Sequence, residues 1–393
     1  MEYPLVSVVI PVYNMEPFLG ETLDSVLASD YPSLEVVVLD DGSVDASYAL
    51  ARQYAEKDGR VHVYTQLNMG VSAARNRAIS LAKGEFILPV DADNKISREF
   101  IHNAVNVILQ DEEVKVVSPR AEFFGNRSGE WKLPPFSLKL LARKNIMDTC
   151  ALYRKSDWER VGGYNEDIIA REDWEFWIAL LKDGGKVIKL PDVSLYYRVR
   201  SNSKRMTDRS QKKHVINVLN QRHPDFFERE LGGPLRYRRT WSQLINKAYR
   251  LFHPSVSLVG ENYVDFSYWV KALPFCFGDS FGSLIYKGRN ELREYNYKGK
   301  DLVIKSFAKP NLINRIVYGL FRSSKAQRSY EYADMLLKAG IGTPEPVGYC
   351  TERIGLLFTR SYYISLKSEC PYVYYDLIKK HFDNQALQDQ LDD

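Results

Sequence analysis

The sequence is poor in cysteine and lacks long uninterrupted apolar runs. Its four cysteines among 393 residues follow no metal-ligand spacing, which disfavours a secreted disulfide framework and is typical of a reducing cytoplasm. No apolar run approaches the roughly 20 residues that a membrane-spanning helix needs, and the N-terminus resembles no signal peptide. We therefore expect a cytoplasmic protein whose membrane contact would be peripheral, at the inner face of the cytoplasmic membrane.

The sequence also lacks a strong charge imbalance and the common nucleotide-binding motifs. A net charge of +4 is too small to predict a nucleic-acid partner. No Gly-x-Gly-x-x-Gly follows the first predicted strand and no P-loop occurs, so a Rossmann dinucleotide site and a P-loop enzyme are disfavoured. The composition is that of a globular protein, with 45% hydrophobic and 26% charged residues, and the length accommodates two or three domains.

One short stretch combines a predicted buried strand with two acidic residues. The apolar run 86–90 is typical of a buried strand, and it ends in Asp91-Ala92-Asp93. Open α/β sheets hold their ligands at the carboxyl ends of the strands. Two ionised carboxylates this close repel each other, and a divalent cation removes that repulsion. The alternative is a solvated turn in which Asp93 and Asn94 cap the next helix.

Predicted strands and helices alternate along the first 120 residues. The predicted strands lie at 5–12, 34–39, 61–64, 86–90 and 114–117. The predicted helices lie at 16–28, 46–56, 71–82 and 97–110. Such alternation indicates an α/β fold with a parallel sheet covered on both faces. Polar groups end three of the strands, at Tyr13-Asn14, Asp40-Asp41 and Asp91-Asp93, which predicts a binding crevice at that edge.

Four blocks of this region resemble those of glycosyltransferase family 2. They are Val8-Val9-Ile10-Pro11-Val12-Tyr13-Asn14, Asp40-Asp41-Gly42-Ser43, Asn68-Met69-Gly70-Val71-Ser72-Ala73-Ala74-Arg75-Asn76 and Asp91-Ala92-Asp93. They occur in the family's order and with its approximate spacings. The resemblance covers about residues 1–235 and implies a GT-A fold, which is a doubly wound mixed sheet. It also implies a nucleotide-sugar donor and a divalent metal, Mn²⁺ or Mg²⁺.

The same resemblance implies roles for the residues at the strand ends. It places Pro11, Tyr13 and Asp40 around the nucleoside of the donor. It places Asp91 against the ribose and Asp93 on the metal-bound diphosphate, with Asp91 as a second metal contact. These roles suit the chemistry, because a carboxylate accepts hydrogen bonds from a base edge or a ribose hydroxyl.

Two arginines are further candidates for binding the donor. Arg75 lies in the second turn of the helix that begins near Gly70, and its guanidinium could pair with a phosphate; a surface salt bridge is the alternative. The segment 197–203 resembles one in which many family members carry a histidine that helps to bind the metal or the diphosphate. Arg200 stands at that place here, and an arginine can pair with a diphosphate although it cannot ligate a metal cation. Asn76 is interpreted as a structural residue.

A second acid pair, Glu172-Asp173, opens a predicted helix. A transfer that inverts the anomeric carbon needs a base for the proton of the acceptor hydroxyl, and a helix N-terminus favours an ionised carboxylate. Local sequence alone favours a capping role. The family's Gly-Gly-aromatic turn, Glu-Asp pair and following aromatic match Gly162-Gly163-Tyr164, Glu172-Asp173 and Trp177. The resemblance implies Asp173 as the base, with Glu172 as its support or as an acceptor ligand. It also implies Tyr164 and Trp177 as acceptor contacts, and core packing is an equal alternative for Trp177.

The chain changes character after residue 235. Residues 236–280 are interpreted as a basic, aromatic helical linker, for which a helix on an anionic membrane surface is the alternative. From about residue 281, Val303-Ile304-Lys305 resembles the lysine strand of protein kinases, with Glu331 as its ion-pair partner. The block 324–346 resembles the lipopolysaccharide core heptose or Kdo kinases. We therefore expect 281–393 to be a truncated small α+β kinase-like lobe without phosphoryl transfer, since no His-Arg-Asp or Asp-Phe-Gly follows.

The sequence thus predicts an enzyme of the hexosyltransferase type. It would move a sugar from a nucleotide-diphosphate donor to a hydroxyl of a cell-envelope glycan, such as lipopolysaccharide, or of a lipid-linked acceptor. Metal-assisted direct displacement with a carboxylate base would invert the anomeric carbon. The alternative is a catalytically weak GT-A binding module coupled to a lipopolysaccharide kinase-like domain.

Overall fold

The structure, a computed structural model, describes residues 3–168, 170–200, 208–278 and 282–368. The chain folds into two units, Met1–Lys247 and Ala248–Asp393. We describe each unit by itself.

A mixed β-sheet forms the centre of the first unit. Its strands are β1 (Val6–Val12), β2 (Leu34–Asp40), β3 (Val61–Thr65), β4 (Phe86–Pro89), β5 (Lys95–Ile96), β6 (Val114–Gly125), β7 (Gly129–Trp131), β8 (Leu152–Arg154) and β9 (Lys186–Val199). Within the described residues their order is β3-β2-β1-β4-β8-β6-β9-β5, with β7 paired to β6. The neighbours from β3 to β4 are parallel, whereas β8 is antiparallel to both β4 and β6. The expected α/β mixed sheet is confirmed.

Helices connect these strands and cover both faces of the sheet. They are α1 (Glu16–Leu27), α2 (Ser47–Lys57), α3 (Val71–Leu81), α4 (Phe100–Gln110), α5 (Leu138–Leu141), α6 (Lys155–Val161), α7 (Glu172–Leu181), α8 (Asp208–Arg222), α9 (Pro224–Leu231) and α10 (Ser242–Phe252). The helices predicted in the first 120 residues are confirmed as α1 to α4. The last begins at Phe100 rather than at Ser97, because the Ser97 amide donates instead to the Ser194 carbonyl of β9 (3.0 Å).

Adjacent residues of the central strands pack on opposite faces of the sheet. Val8 and Ile10 of β1 belong to a buried cluster that includes residues of α1 and α4. Val9, between them, belongs to a second cluster that includes residues of α3 and α7. Because both faces are covered, the strands appear in the sequence as continuous apolar runs rather than as an alternating pattern.

The long strand β9 differs from the expectation. The sequence predicts two strands there, at 186–190 and 194–199, whereas the structure has one continuous strand. Its pairing with β6 shifts register around Arg120, and such an irregularity accommodates the proline at position 191 without ending the strand. This continuity places Arg198 and Arg200 next to the turn that follows β4.

The second unit is an α+β arrangement around an antiparallel sheet. Its strands are β10 (Ser255–Val259), β11 (Ser283–Lys287), β12 (Glu291–Tyr297), β13 (Lys300–Phe307), β14 (Pro346–Ile354) and β15 (Leu357–Leu366), and its helices are α11 (Ser267–Cys276), α12 (Leu312–Leu320) and α13 (Lys325–Lys338). The described order is β10-β14-β15-β13-β12-β11. Ile304 of β13 packs with Trp269 of α11, whereas Phe307 packs with Ala326 of α13. Odd and even positions of β13 thus face different helices.

The segment 236–280 is more structured than the linker that its composition suggests. β10 pairs antiparallel with β14, and Trp269 of α11 is fully buried in the core of the second unit. The second unit therefore begins before residue 281, and the boundary at Lys247 falls inside α10. None of the helices in the described part of the chain has the length and apolar character needed to cross a membrane.

Candidate active site

The carboxyl end of β2 presents a buried carboxylate with one unused oxygen. Asp40 is only 3% exposed, and its Oδ2 accepts hydrogen bonds from the Ser43 amide (3.2 Å) and the Thr65 hydroxyl (3.3 Å). Its Oδ1 has no partner within the described residues. A buried acceptor without a donor is uncommon in proteins, so Asp40 is equipped to accept an N–H or O–H group from a ligand. Pro11 is half-buried and Tyr13 is exposed at the end of β1.

The neighbouring Asp41 has a structural role that the sequence does not separate from that of Asp40. Its Oδ1 accepts hydrogen bonds from the Gln66 side chain (2.7 Å) and the Met69 amide (2.9 Å), and its Oδ2 accepts one from the Gly70 amide (2.9 Å). Asp41 therefore fixes the loop that leads into α3. The N-terminus of α3 consequently lies at the carboxyl edge of the sheet, where it favours negative charge.

Arg75 joins the two acidic motifs. Its side chain is 4% exposed; Nη2 donates to Oδ1 of Asp91 (2.7 Å), and Nη1 donates to Oε1 of Glu172 (2.8 Å). Burial opposes the charged form of Arg75, but the two carboxylates outweigh it and raise the pKa of the guanidinium above its usual range. The structure thus contains a buried ion pair where the sequence suggests a phosphate contact or a surface salt bridge. The donor-binding role of Arg75 stays a prediction.

Asp93 is more buried than Asp91, and its carboxyl group has a raised pKa. Burial, together with the charge of Asp91, raises the pKa of Asp93 to about 6, and Arg200 and Arg198 oppose this shift. Arg200 forms an ion pair with Asp93 (Nη2 to Oδ2, 2.8 Å), and its guanidinium lies 5.1 Å from the centre of the Phe18 ring. Arg200 therefore contacts the carboxylate of Asp93, and its donor-binding role stays a prediction.

The acid pair suits a divalent cation, although the protein supplies few ligands. No group of three or more His, Cys, Asp or Glu side chains within the described ranges is arranged to hold a metal ion. Asp91 and Asp93 offer hard oxygen ligands, and burial, followed by the charge of Asp91, raises the pKa of Asp93. Mg²⁺ commonly binds one or two carboxylates and takes its other ligands from water and substrate phosphates. The two residues fit a metal held in that way.

The same edge contains Asp148, which no sequence motif singles out. Asp148 is buried, and its Oδ1 accepts a hydrogen bond from the Cys150 amide (2.9 Å). Burial, with a contribution from the charge of Asp91, raises its pKa to about 7. Because β8 runs antiparallel to β4, its amino end lies at the carboxyl edge of the parallel strands. A carboxylate just before a short apolar strand is the signal that could have identified it.

Asp173, at the start of α7, is held in place by two hydrogen bonds. Its Oδ2 accepts from the Asn145 side chain (2.6 Å), and its Oδ1 accepts from the Trp174 amide (2.8 Å). Burial, followed by the charges of Glu172 and Asp148, raises its pKa above the usual range. Desolvation therefore outweighs the helix dipole in setting the pKa of this group. A carboxylate with a raised pKa is a stronger proton acceptor when it is ionised.

Arg198 is a second residue of the site that the sequence motifs do not identify. Its Nε donates to the carbonyl oxygen of Asp93 (2.9 Å), and its amide donates to the side chain of Asn94 (2.9 Å). Its Nη2 forms an ion pair with Glu21 of α1 (2.9 Å). Arg198 thus fixes the turn that carries Asp93 against β9, whereas Arg200, two residues later on the same side of the strand, contacts the Asp93 carboxylate.

Tyr164 and Trp177 are both buried in the core of the first unit. Trp177 is fully buried and lies 5.9 Å from the Tyr153 ring. Tyr164 stacks on Phe176 with ring centres 4.2 Å apart, and the Arg75 guanidinium lies 5.5 Å from the Tyr164 ring centre. This geometry favours core packing for Trp177 and gives no support to the acceptor contacts predicted for the two residues, since neither ring is open to a ligand here.

The turn before α7 is fixed by Asn76. The Asn76 side chain accepts a hydrogen bond from the Tyr164 amide (2.8 Å) and donates one to the Tyr164 carbonyl (2.8 Å). Gly163 has a φ of +76°, and a Cβ atom added there would lie 2.6 Å from Oδ1 of Asn76. Only glycine therefore fits this close approach. The structural role expected for Asn76 matches these contacts.

Comparisons with known proteins identify the family. The model described as "Glycosyl transferase family 2" matches residues 7–162. "Uncharacterized glycosyltransferase EpsJ" of Bacillus subtilis strain 168 is 31% identical over 219 residues, which is 51% of this chain and 62% of EpsJ. "Putative teichuronic acid biosynthesis glycosyltransferase TuaG" of the same organism is 30% identical over 206 residues, which is 51% of this chain and 81% of TuaG. The chain belongs to glycosyltransferase family 2.

A solved structure supports the fold in the same way. The crystal structure of S. aureus TarS 1-349 in complex with UDP-GlcNAc aligns with a TM-score of 0.50 and 21% identity, over 68% of this chain and 79% of that one. At this identity the likeness concerns the fold alone, and it confirms the expected GT-A type of sheet. The chain spans less than two thirds of EpsJ, at 62% of its length.

Replacing Arg75 by methionine tests whether the buried bridge holds the site together. The change leaves Asp91 and Glu172 without their shared cation, and removing one partner of a buried ion pair costs about 3–5 kcal/mol. We expect urea unfolding at neutral pH to show a loss of that order. Arg77→Met, an exposed arginine half a turn away on α3, is the control; an equal, small loss in both variants would contradict the role given to the bridge.

Replacing Asp148 by asparagine tests the buried carboxyl group through the pH dependence of stability. The folded pKa of about 7 exceeds the unfolded value of about 3.9, so the folded state binds more protons between these values. The free energy of unfolding therefore falls as the pH rises from about 4 to 7.

We expect Asp148→Asn to flatten this fall and to be more stable than the wild type above pH 7, by on the order of 4 kcal/mol. Denaturant unfolding over a pH series measures the effect, and Asp183→Asn, at an exposed carboxylate, is the control. An unchanged slope in Asp148→Asn would show that Asp148 titrates normally.

Proposed function

We propose that the chain is an inverting glycosyltransferase that moves a sugar from a nucleotide-diphosphate donor to a hydroxyl of a cell-envelope glycan or a lipid-linked acceptor. The observation that carries the proposal is the Arg75 bridge, with bonds of 2.7 Å to Asp91 and 2.8 Å to Glu172. It brings the acid pair at the end of β4 next to the acid pair of α7. This geometry supports a donor site and a base that lie side by side, as a direct displacement requires.

The donor half of the proposed site lies at the carboxyl ends of β1, β2 and β4. The free Oδ1 of Asp40 would accept a hydrogen bond from the nucleoside, between Pro11 and Tyr13. Asp91 would contact the ribose. These three strands are parallel neighbours, so their ends form one continuous crevice of the kind in which α/β sheets bind nucleotides.

The diphosphate would be held next to Asp93. Asp93 and Asp91 would hold a divalent metal, Mn²⁺ or Mg²⁺, which supplies stabilisation of the negative charge that develops on the leaving diphosphate. Arg200, now paired with Asp93 at 2.8 Å, can exchange this contact for a phosphate oxygen, since a guanidinium pairs with either anion. Its position at the end of β9 supports this role.

Asp173 is proposed as the base. The acceptor oxygen forms a bond to the anomeric carbon while the bond from that carbon to the diphosphate oxygen breaks, and the electron pair leaves with the diphosphate. The proton of the acceptor hydroxyl passes to the Asp173 carboxylate. Hydrogen bonds from Asn145 and Trp174 hold this carboxylate, and its raised pKa increases its affinity for the proton. Glu172 supports the site through Arg75.

The names of similar proteins suggest the first substrates to test. TarS was crystallised with UDP-GlcNAc, and the name of TuaG refers to teichuronic acid biosynthesis. A UDP-sugar as donor and a cell-envelope polysaccharide as product follow as proposals for this chain. An open cleft of about 640 Å³ beside the 162–163 turn, lined in part by Trp158, Glu159 and Glu166, offers a surface for the acceptor, since sugars bind to aromatic faces and carboxylates.

The second unit is proposed as a kinase-like lobe with a binding role. Lys305 on β13 and Glu331 on α13 occupy the expected elements. They form no ion pair in the described part of the chain: Lys305 Nζ lies 5.3 Å from the Phe307 ring centre, and Glu331 accepts a hydrogen bond from Gln327 (2.9 Å). We therefore propose no phosphoryl transfer. The alternative function remains a GT-A binding module coupled to a lipopolysaccharide kinase-like domain.

A peripheral membrane contact is proposed for α10, a helix that buries polar residues and exposes apolar ones. Ser242 and Asn246 are buried and hydrogen-bonded. The exposed side of α10 instead carries the large apolar residues Leu244, Ile245, Leu251 and Phe252, and Trp241 is exposed just before the helix. The segment 236–253 contains five Arg and Lys residues and no acidic residue. Apolar side chains flanked by cations are typical of helices that lie on anionic membranes.

Donor binding and hydrolysis test the enzymatic proposal. We expect one of a panel of nucleotide-sugars to raise the melting temperature with Mn²⁺ present, because a ligand of the folded state stabilises it. The shift should disappear with EDTA or in Asp93→Asn, and persist in Asp173→Asn. Donor hydrolysis should fall about 10²–10⁴-fold in Asp173→Asn, the usual contribution of a general base.

The outcomes of this experiment separate the proposals. If no nucleotide-sugar binds or is hydrolysed, the enzyme proposal is overturned and the binding-module alternative is favoured. Unchanged hydrolysis in Asp173→Asn would remove only the assignment of the base. If donor binding changes neither with EDTA nor in Asp93→Asn, the proposal that a metal takes part in binding is contradicted.

Vesicle sedimentation tests the membrane contact. We expect binding to vesicles that contain phosphatidylglycerol, weakened by salt, and reduced at least about tenfold when Trp241, Leu251 and Phe252 are changed to serine, because each removes apolar surface from the interface. A triple serine variant of Val44, Leu67 and Met69, which are exposed elsewhere, is the control. Equal binding of the two variants would contradict the proposal.

A further inference from the structure

A cavity in the second unit is lined by cations and polar groups. It has a volume of about 310 Å³ and lies among the end of β13, the first turns of α12 and α13, and β15. Its polar lining includes Arg289, Lys309, Asn311, Lys325 and Ser361. No acidic side chain is among the described residues that line it.

The cations around this cavity have no carboxylate partners in the described part of the chain. Many other cations of the second unit are paired, as Lys298 is with Asp265 and Lys338 with Asp334. Within the described residues, Arg289, Lys309 and Lys325 form no ion pair. Three positive charges that converge without counter-charges raise the local potential and attract an anion.

The buried wall of the cavity contains an unsatisfied hydroxyl group. Ser361 of β15 is fully buried, and its Oγ has no hydrogen-bond partner among the described residues. Ser361 lies opposite Phe307 of β13 and, by the alternation along a strand, faces the same side as Tyr363, which packs with Phe307 and Ala326 of α13. The hydroxyl therefore points to the side of the sheet on which the cavity lies. A buried hydroxyl without a partner is uncommon unless a ligand or water completes it.

Two helix N-termini meet at the same place. Asn311 caps α12 by accepting from the Asn314 amide (3.0 Å), and Ser324 caps α13 by accepting from the Gln327 amide (3.0 Å). Asn311, Asn314 and Lys325 line the cavity. The positive ends of both helix dipoles thus add to the charge of the three cations.

We propose that this cavity binds a phosphoryl group. A phosphate offers several anionic oxygens for the cations, the helix termini and the Ser361 hydroxyl, and the volume of about 310 Å³ leaves room for the group to which it is attached. Recognition would not require a metal, since no lining carboxylate among the described residues could hold one. The inference does not depend on the proposed glycosyltransferase activity, because every residue that it uses lies in the second unit.

Hydrogen exchange on the full-length chain tests the proposal and localises the ligand. With pyrophosphate and no divalent metal, we expect slower amide exchange in peptides that cover 307–314 and 324–328. The double variant Lys309→Gln/Lys325→Gln should need at least about ten times more pyrophosphate for the same protection. Each substitution removes a charge-assisted contact. Lys298→Gln with Lys338→Gln changes the charge of the same unit equally and should leave protection unchanged.

The same measurement with lipid vesicles identifies the source of the phosphoryl group. Protection by pyrophosphate indicates a soluble ligand, whereas protection only by vesicles of phosphatidylcholine with phosphatidylglycerol, and not by phosphatidylcholine alone, indicates a lipid headgroup. Ser361→Ala, which keeps the fold with a smaller side chain, should also weaken binding. The proposal is overturned if neither source protects these peptides, if chloride at equal ionic strength protects them as well, or if both double variants behave alike.

Discussion

The arrangement of the candidate active site depends on one buried guanidinium. Arg75 and Glu172 are 97 residues apart in the sequence, yet their side chains are joined at 2.8 Å. The second bond of Arg75, to Asp91, ties this contact to the end of a central strand. A buried ion pair adds little net stability once its desolvation is counted. We therefore interpret this bridge as the contact that sets the distance between the proposed donor half and the proposed base.

Around this bridge the site carries more negative charge than the protein compensates. Burial is the main cause that raises the pKa of Asp93, Asp148 and Asp173. The proposed nucleotide-diphosphate would add further negative charge at the same place. In the proposed metal-assisted displacement, a divalent cation would stabilise that charge and Asp173 would accept a proton.

The sequence predicts some residues of this site and not others. Apolar runs identify the parallel strands because both faces are buried, so the positions of Asp40, Asp91 and Asp93 follow directly. Asp148 is not predicted because the strand that follows it is short. Its place at the edge of the sheet depends on an antiparallel pairing that local sequence does not encode. Trp177 shows the opposite problem: a motif match cannot tell a buried aromatic residue from an exposed one.

The position of β9 has a consequence for how the chain reaches its folded state. Strands β1 and β2 pair across 28 residues (Val6 with Leu34), whereas β5 pairs with β9 across 101 residues (Lys95 with Tyr196). Contacts between distant segments carry a larger loop-closure cost and tend to form later. Arg198 and Arg200 would then reach the acid pair after the ends of β1 and β2 have come together. The order of assembly would leave the proposed diphosphate end of the site as its last completed part.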